Sequence, residues 1–255
     1  TRVEPVITCT PASPFPADEL IEMPPIGSMS ERLGIGMRLD HASPSRFKGH
    51  TQTVLVKITT DQGIIGWGEA HAPAAPAVHA KVITDLLAPI LIGQDARNIG
   101  PLWDRMYSSQ RLRGYATGFF TESIAGVDIA LWDILGKFVG VPLYQLLGGK
   151  YRDSIPTYGG GGSPEEALEA MEAGFHAVKM GFSKGPGSED FERVIKISEA
   201  VGAKGQLLVD SLGAFKLHEA ISVGRKLDEL GNIGWFEDAL MPEDTASYPI
   251  LAEAL

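Results

Sequence analysis

At 255 residues the chain is long enough for one to two domains and a core that needs no disulfide, which excludes a peptide-sized binding module. Its 22 basic against 32 acidic side chains give a formal charge of −10, opposite to what a broad nucleic-acid-binding surface requires. Cys9 is the one cysteine, no Cys/His group has zinc-ligand spacing, Thr1 to Glu4 lacks a secretory pattern, and no apolar run reaches the roughly 18 residues of a membrane span; composition points to a cytoplasmic protein without nucleic-acid or membrane partners.

Seven prolines, Pro5, Pro11, Pro14, Pro16, Pro24, Pro25 and Pro44, interrupt residues 1–50, so an early strand followed by a long irregular loop is expected. From Ile21 to Lys48, Met23, Met29 and Met37 mix with Gly27, Gly34 and Gly36, which suits a mobile flap and equally a plain surface loop. Val54, Val56 and Ile58 alternate with polar partners, and Asp61-Gln62-Gly63 leads into an apolar run from Ile64 to Trp67, the pattern of a β-hairpin. Helical spacing follows from His79 to Leu91, Ile99 to Tyr107 and Thr121 to Val139, the last with Ile124, Val127, Ile129, Leu131, Trp132 and Leu135. Residues 1–150 thus form a hairpin-plus-helices unit.

After Gly148-Gly149 the rhythm changes to short apolar strands alternating with amphipathic helices, the signature of an α/β protein with a parallel sheet. The predicted strands are Ile155 to Tyr158, Ala177 to Met180, Gln206 to Asp210 and Ile233 to Glu237. Between them lie helices from Ala167 to Ala173, started by Ser163, Pro164 and Glu166, from Phe191 to Ala200, and from Phe215 to Leu230, ended by Gly231. Residues 151–255 therefore hold about four βα units.

Strands of a parallel sheet are near-continuously apolar, so a charged residue at a strand's C-terminal end needs a reason other than packing. Lys179, Asp210 and Glu237 stand there at intervals of 31 and 27 residues, close to one βα repeat, which puts them at one level in one mouth. Two grouped carboxylates repel each other, and a divalent ion that prefers hard oxygen, Mg2+ first, relieves the repulsion. The same residues taken singly also fit helix caps or turn starts, as Asp often does after a strand.

The run Gly126-Val127-Asp128-Ile129-Ala130-Leu131-Trp132-Asp133, continued by Gly136-Lys137, Pro142-Leu143-Tyr144 and Leu146-Leu147-Gly148-Gly149, resembles the mandelate racemase branch of the enolase superfamily. Gly66-Trp67-Gly68-Glu69, Ala177-Val178-Lys179, Val209-Asp210 and Trp235-Phe236-Glu237-Asp238 follow in that family's order. The resemblance implies an α+β capping domain over 1–150 and, over 151–255, the first half of a (β/α) barrel. It implies metal ligands at Asp210 and Glu237, with Asp238 the weaker candidate because neighbouring strand residues face opposite ways. It makes the Met23 to Lys48 loop a specificity flap, with the Glu69 to Pro76 loop beside it. The shared chemistry is removal of a proton α to a carboxylate, the enediolate held by the metal.

Two departures shape that expectation. Many relatives carry Lys-x-Lys on the second barrel strand, the first lysine for the substrate carboxylate and the second as base; here Lys179-Met180-Gly181 keeps the first and lacks the second. A two-base racemase is disfavoured, and a base from the far side of the barrel, usually His in acid-sugar dehydratases, fits better. Leu212 also stands where Asn is often found. The second departure is length: an eight-unit barrel takes about 250 residues, and a third carboxylate ligand one unit on falls at about position 262, past Leu255. The chain then reads as a fragment of a longer enzyme or a truncated, catalytically silent protein, its open strand edges covered by dimerisation or by further segments.

Among the remaining motifs, Gly159-Gly160-Gly161-Gly162 lacks the Lys-Ser/Thr of a phosphate loop and reads as a flexible turn. The six histidines do not cluster; Trp132, Trp235 and Phe236 read as core; Ser123 and Ser211 lack hydrolase partners. The leading expectation is a Mg2+-dependent lyase dehydrating a sugar acid, with a small-molecule carboxylate as partner and a homo-oligomer as assembly. An epimerase or cycloisomerase on the same scaffold is the alternative.

Overall fold

The structure, a computed structural model, describes the backbone of residues 2–10, 37–40, 43–49, 51–72 and 75–255, and within these ranges the side chains from residue 53 onward. Two compact units emerge, one of residues 1–40 and 46–153, the other of residues 41–45 and 154–255. Among the described residues no helix is long and apolar enough to cross a membrane.

In the first unit β1 (Arg2–Thr10), β4 (Thr51–Thr59) and β5 (Ile65–Ala70) form an antiparallel sheet in the order β1-β4-β5. Pro5 is tolerated because β1 is an edge strand and needs its N–H groups on one side only. The predicted hairpin is β4 and β5, turning at Gly63 with φ 79°. Most of the expected flap lies outside the described residues, but Met37–Asp40 (β2) and Ser43–Gly49 (β3) pair as a two-stranded sheet where proline and glycine content predicts irregular chain. Both strands of such a sheet are edges, so Pro44 need not break a ladder.

Five α-helices and one π segment follow among the described residues of this unit: α1 (Pro76–Val82), continued by the π segment (Ile83–Leu87) into α2 (Ala88–Leu91), then α3 (Ile99–Arg111), α4 (Phe119–Val139) and α5 (Leu143–Leu146). The π segment has a cause in the sequence. His79, Ile83, Leu87 and Leu91 are all buried and spaced by four, a repeat that drifts about 40° per step on a pure α-helix. Local underwinding keeps all four on one face.

Strand β5 lies directly on α4. A Cβ on Gly68 would sit 2.0 Å from the carbonyl oxygen of Gly126, and one on Gly66 would sit 2.1 Å from that of Ala130. Gly66, Gly68 and Ala70 are buried while Ile65, Trp67 and Glu69 face outward. The same helix covers the open edge of β5: Trp67 N–H donates to Asp133 Oδ2 at 2.8 Å, and Lys137 Nζ, paired with that oxygen, donates to the Ile65 carbonyl at 2.8 Å.

The second unit holds a parallel sheet in the order β6-β7-β8-β9, made of Gly159–Gly160, Ala177–Gly181, Gln206–Asp210 and Ile233–Glu237. Helices α6 (Pro164–Glu172), α7 (Glu189–Val201), α8 (Leu217–Asp228) and α9 (Ser247–Ala254) alternate with the strands. The start of α6 follows the sequence: Ser163 Oγ accepts from Glu166 N–H, and Glu166 Oε2 reaches back to Gly162 N–H at 2.7 Å.

The first predicted strand is displaced. Ile155 is 77% exposed and lies outside the sheet, and pairing begins at Gly159, opposite Val178. The glycines explain this: a Cβ on Gly161 would meet Val178 Cγ1 at 2.2 Å and one on Gly159 would meet Ala170 Cβ at 2.7 Å, so only a bare backbone fits between β7 and α6. Gly159 and Gly161 are thus packing positions, while a Cβ on Gly160 would meet nothing within 4 Å, so the tetrad is part packing feature and part turn.

Substituting Gly68→Ala should lower the unfolding free energy by at least about 3 kcal/mol in urea titration, because backbone on α4 cannot yield. Gly100→Ala, whose added Cβ meets nothing within 4 Å, should stay within about 1 kcal/mol of the parent. Equal effects would contradict the close approach.

Candidate functional site

Parallel pairing sets the level of each polar residue. Gly181 stands opposite Asp210, and Asp210 opposite Glu237. Val178, Met180, Leu207, Val209 and Phe236 join the core beneath the helices, so strand alternation leaves Lys179, Gly181, Asp210 and Glu237 on the other face.

On that face Lys179 Nζ lies 3.1 Å from Asp210 Oδ2 and 2.7 Å from Glu237 Oε2. The bond to Glu237, joined by that to Asp210, pushes the Lys179 ammonium up to about 12 against the opposing effect of burial. So placed, Lys179 is a fixed cation and takes up no proton near neutrality. The side chains are 24% exposed for Lys179, 14% for Asp210 and 36% for Glu237, which leaves the group open to a small solute.

Asp210 makes a local turn and keeps one oxygen for the group on this face. Its Oδ1 accepts from Leu212 N–H at 3.0 Å, the local turn that Asp makes after a strand, while Oδ2 faces Lys179. Leu212 takes φ 48°, a left-handed conformation that Asn adopts more readily than Leu.

Asp238 joins the site, contrary to the alternation argument. Carboxylate oxygens of Asp210, Glu237 and Asp238 all lie within 4.8 Å of one another. Strand β9 ends at Glu237, and Asp238 turns to φ 46°, so the rule that neighbours face opposite ways no longer applies. Its carbonyl accepts from Ser211 Oγ at 3.0 Å and from Gly213 N–H, which pins the turn. The strand boundary was the signal that could have found it.

Trp235 also departs from expectation. It is 41% exposed, on the same face as Glu237, with its ring centroid 5.6 Å from that of Tyr158 and edge-on to it. Phe236 alone of that pair enters the core, against Phe182 and Phe215. Trp132 is partly buried in the first unit, where His79 is fully buried and bonded to Glu122 at 2.8 Å. His176 is exposed, and neither histidine belongs to the acidic group.

Residues 42–148 match the profile of the mandelate racemase / muconate lactonizing enzyme N-terminal domain, and residues 163–255 that of the enolase C-terminal domain-like family. A D-galactarolactone cycloisomerase from Agrobacterium fabrum is 35% identical over 208 residues, 76% of this chain and 53% of that protein. A D-galactonate dehydratase from Verminephrobacter eiseniae is 37% identical over 214 residues, 78% of this chain and 55% of that protein. The crystal structure of a member of the enolase superfamily from Agrobacterium tumefaciens has a TM-score of 0.82 at 26% identity, covering 99% of this chain and 64% of that one. The chain spans about half the length of the curated relatives it matches.

Replacing Lys179→Met leaves Asp210 and Glu237 facing each other without their shared cation. The unfolding free energy should fall by about 1–3 kcal/mol at low salt, and added NaCl should recover part of the loss. Lys226→Met, which breaks an exposed pair with Glu229, should stay within about 0.5 kcal/mol. Urea titration of both variants makes the comparison, and equal losses would deny the shared contact any special weight.

Proposed function

This chain belongs to the mandelate racemase / muconate lactonizing enzyme family of the enolase superfamily, and from that premise we propose that its residues work in a Mg2+-dependent carbon-oxygen lyase that dehydrates a sugar acid to a 2-keto-3-deoxy acid. The observation that carries this reading is the meeting of Lys179, Asp210 and Glu237 at the ends of three adjacent parallel strands. The first unit is then the α+β capping domain and the second the first four βα units of a (β/α) barrel. The edge-on ring contact at 5.6 Å between Tyr158, just before β6, and Trp235 on β9 suits a sheet that curls toward the face of the acidic group.

The donor set suits Mg2+. Asp210, Glu237 and Asp238 offer carboxylate oxygens alone, and three such groups within 4.8 Å call for a cation, a need now met in part by Lys179. Asp210 and Glu237 would hold the ion. When bound, it supplies positive charge beside the oxygens on which a substrate carboxylate gathers negative charge as its α-proton leaves, a gain larger in the transition state than in the substrate. Lys179 orients that carboxylate through a proton it keeps. Gly181, two residues on and on the same face, carries no base, so the α-proton departs toward the opposite face of the substrate, and a two-base racemase is disfavoured. Loss of the β-hydroxyl with that proton completes one molecule of water.

The relative named D-galactonate dehydratase favours dehydration; the relative named D-galactarolactone cycloisomerase supports a second reading, ring transfer on the same proton-abstracting scaffold. Among the described residues β6 and β9 have one sheet neighbour each, and Trp235 is open, which supports a homo-oligomer or further strands covering them.

Asp210→Ala and Glu237→Ala should each cost more than the roughly 100-fold in Mg2+ affinity that loss of an outer hydrogen-bond partner costs, measured by calorimetry, with folding retained by circular dichroism. Unchanged affinity would sink the ligand assignment. Incubating the protein with a panel of sugar acids and their lactones in deuterated water should turn an acid into a 2-keto product that has lost one water and carries one solvent deuterium; exchange of the α-hydrogen without that product would favour the epimerase, and an isomer formed from a lactone without loss of water the cycloisomerase.

A further inference from the structure

Helix α7 sends a guanidinium to the strand ends where this site stands. Arg193 Nη1 donates to the Gly162 carbonyl at 3.0 Å, and Nη2 donates to the Gly181 carbonyl and to Asp190 Oδ1, both at 2.7 Å. Asp190 Oδ2 accepts from the backbone N–H of Ser183 at 2.6 Å and of Lys184 at 3.1 Å. One side-chain pair thus ties the loop after β6 to the loop after β7.

Each carbonyl it holds belongs to a residue adjacent to one whose N–H makes a hydrogen bond that frames the site. Gly161, next to Gly162, donates its N–H to the Lys179 carbonyl at 3.0 Å, and Phe182, next to Gly181, donates to the Asp210 carbonyl at 2.9 Å. A planar fork presents its donors to both carbonyls and Asp190 in one fixed arrangement, whereas a lysine offers a compact charge on a flexible stem. Burial pushes the Asp190 carboxyl up, but Arg193 and the two backbone N–H groups outweigh it and hold the group below its usual range, so it stays charged against Arg193.

We propose that Arg193, held by Asp190, is a positioning residue that sets where Lys179 and Asp210 reach; the role rests on the reading of those two residues given above. Arg193 acts through the two loop backbones, without touching substrate or ion.

The test compares Arg193→Met and Arg193→Lys in the full chain with Ser198→Ala, which removes the 2.6 Å Ser198–Asn232 hydrogen bond at the other end of the strands. Residue-resolved hydrogen exchange reads the frame without any metal. In Arg193→Met the amides of Gly161 and Phe182 should exchange about tenfold faster or more, while Leu207, bonded to the Asn232 carbonyl, changes little. Calorimetric titration with Mg2+ alone then reads the site: affinity should fall about tenfold or more in Arg193→Met, recover in part in Arg193→Lys, and hold in Ser198→Ala. Equal acceleration of all three amides, unaltered exchange at Gly161 and Phe182, or unaltered Mg2+ affinity in Arg193→Met overturns the proposal. A parent protein that binds no Mg2+ overturns the reading beneath it instead, and the two failures are thereby told apart.

Discussion

Asp210 and Glu237 stand opposite each other on adjacent strands, and a lysine ammonium shared between them at 3.1 and 2.7 Å is what makes that neighbourhood tolerable. The register that brings the two carboxylates together is set elsewhere, by Val209 and Phe236 seeking the core on the other face; a slip of one residue would bury the charges. The fold therefore imposes a repulsion that some cation must relieve. On the proposed assignment the relief is exchangeable: Asp210 and Glu237 would hold a divalent ion that supplies the positive charge they need, and Lys179 would be left to pair with the substrate carboxylate. Partners change while charges stay balanced, so neither binding event leaves an unpaired ion in a partly buried place.

Most of the architecture was legible because hydrophobic period and capping chemistry agree. The strands Ala177–Gly181, Gln206–Asp210 and Ile233–Glu237 follow from their apolar runs, and Ser163 caps α6 as its side-chain chemistry dictates. Failures came where a local rule met a tertiary demand. Ile155 and Tyr158 carry strand propensity, yet the chain pairs at Gly159 and Gly160, flanked by the close approaches of Gly159 to Ala170 and of Gly161 to Val178. Trp235 looks like core by type and is placed by strand parity on the face of Glu237. Asp238 was discounted by an alternation that stops one residue earlier. For the site, residue type and interval located Lys179, Asp210 and Glu237, but nothing in the sequence disclosed that one lysine bridges both acids.

Part of what marks the family in this chain has a mechanical meaning in the first unit. Gly66, Gly68, Gly126 and Ala130 let a strand rest on a helix backbone, and Asp133 with Lys137 satisfies the N–H of Trp67 and the carbonyl of Ile65 at the open edge of β5. These residues belong to the first unit and the acidic group to the second. Resemblance concentrated in such a run speaks for fold first, and the chemistry must be argued from the strand ends.

Two non-glycine residues at those ends are held in the left-handed region, Leu212 at φ 48° and Asp238 at φ 46°. Each costs on the order of 1–2 kcal/mol relative to a right-handed residue, and such conformations persist only where neighbours over-determine them. Here the neighbours are identifiable: Asp210 Oδ1 holds Leu212 N–H, while Ser211 Oγ and Gly213 N–H hold the Asp238 carbonyl. The loops after β8 and β9 are therefore locked to each other by short polar contacts, as those after β6 and β7 are locked by Arg193 and Asp190. Backbone strain at Leu212 and Asp238 is thus coupled to the placement of the carboxylates, and a site whose loops are fixed beforehand need not reorganise when charge develops within it.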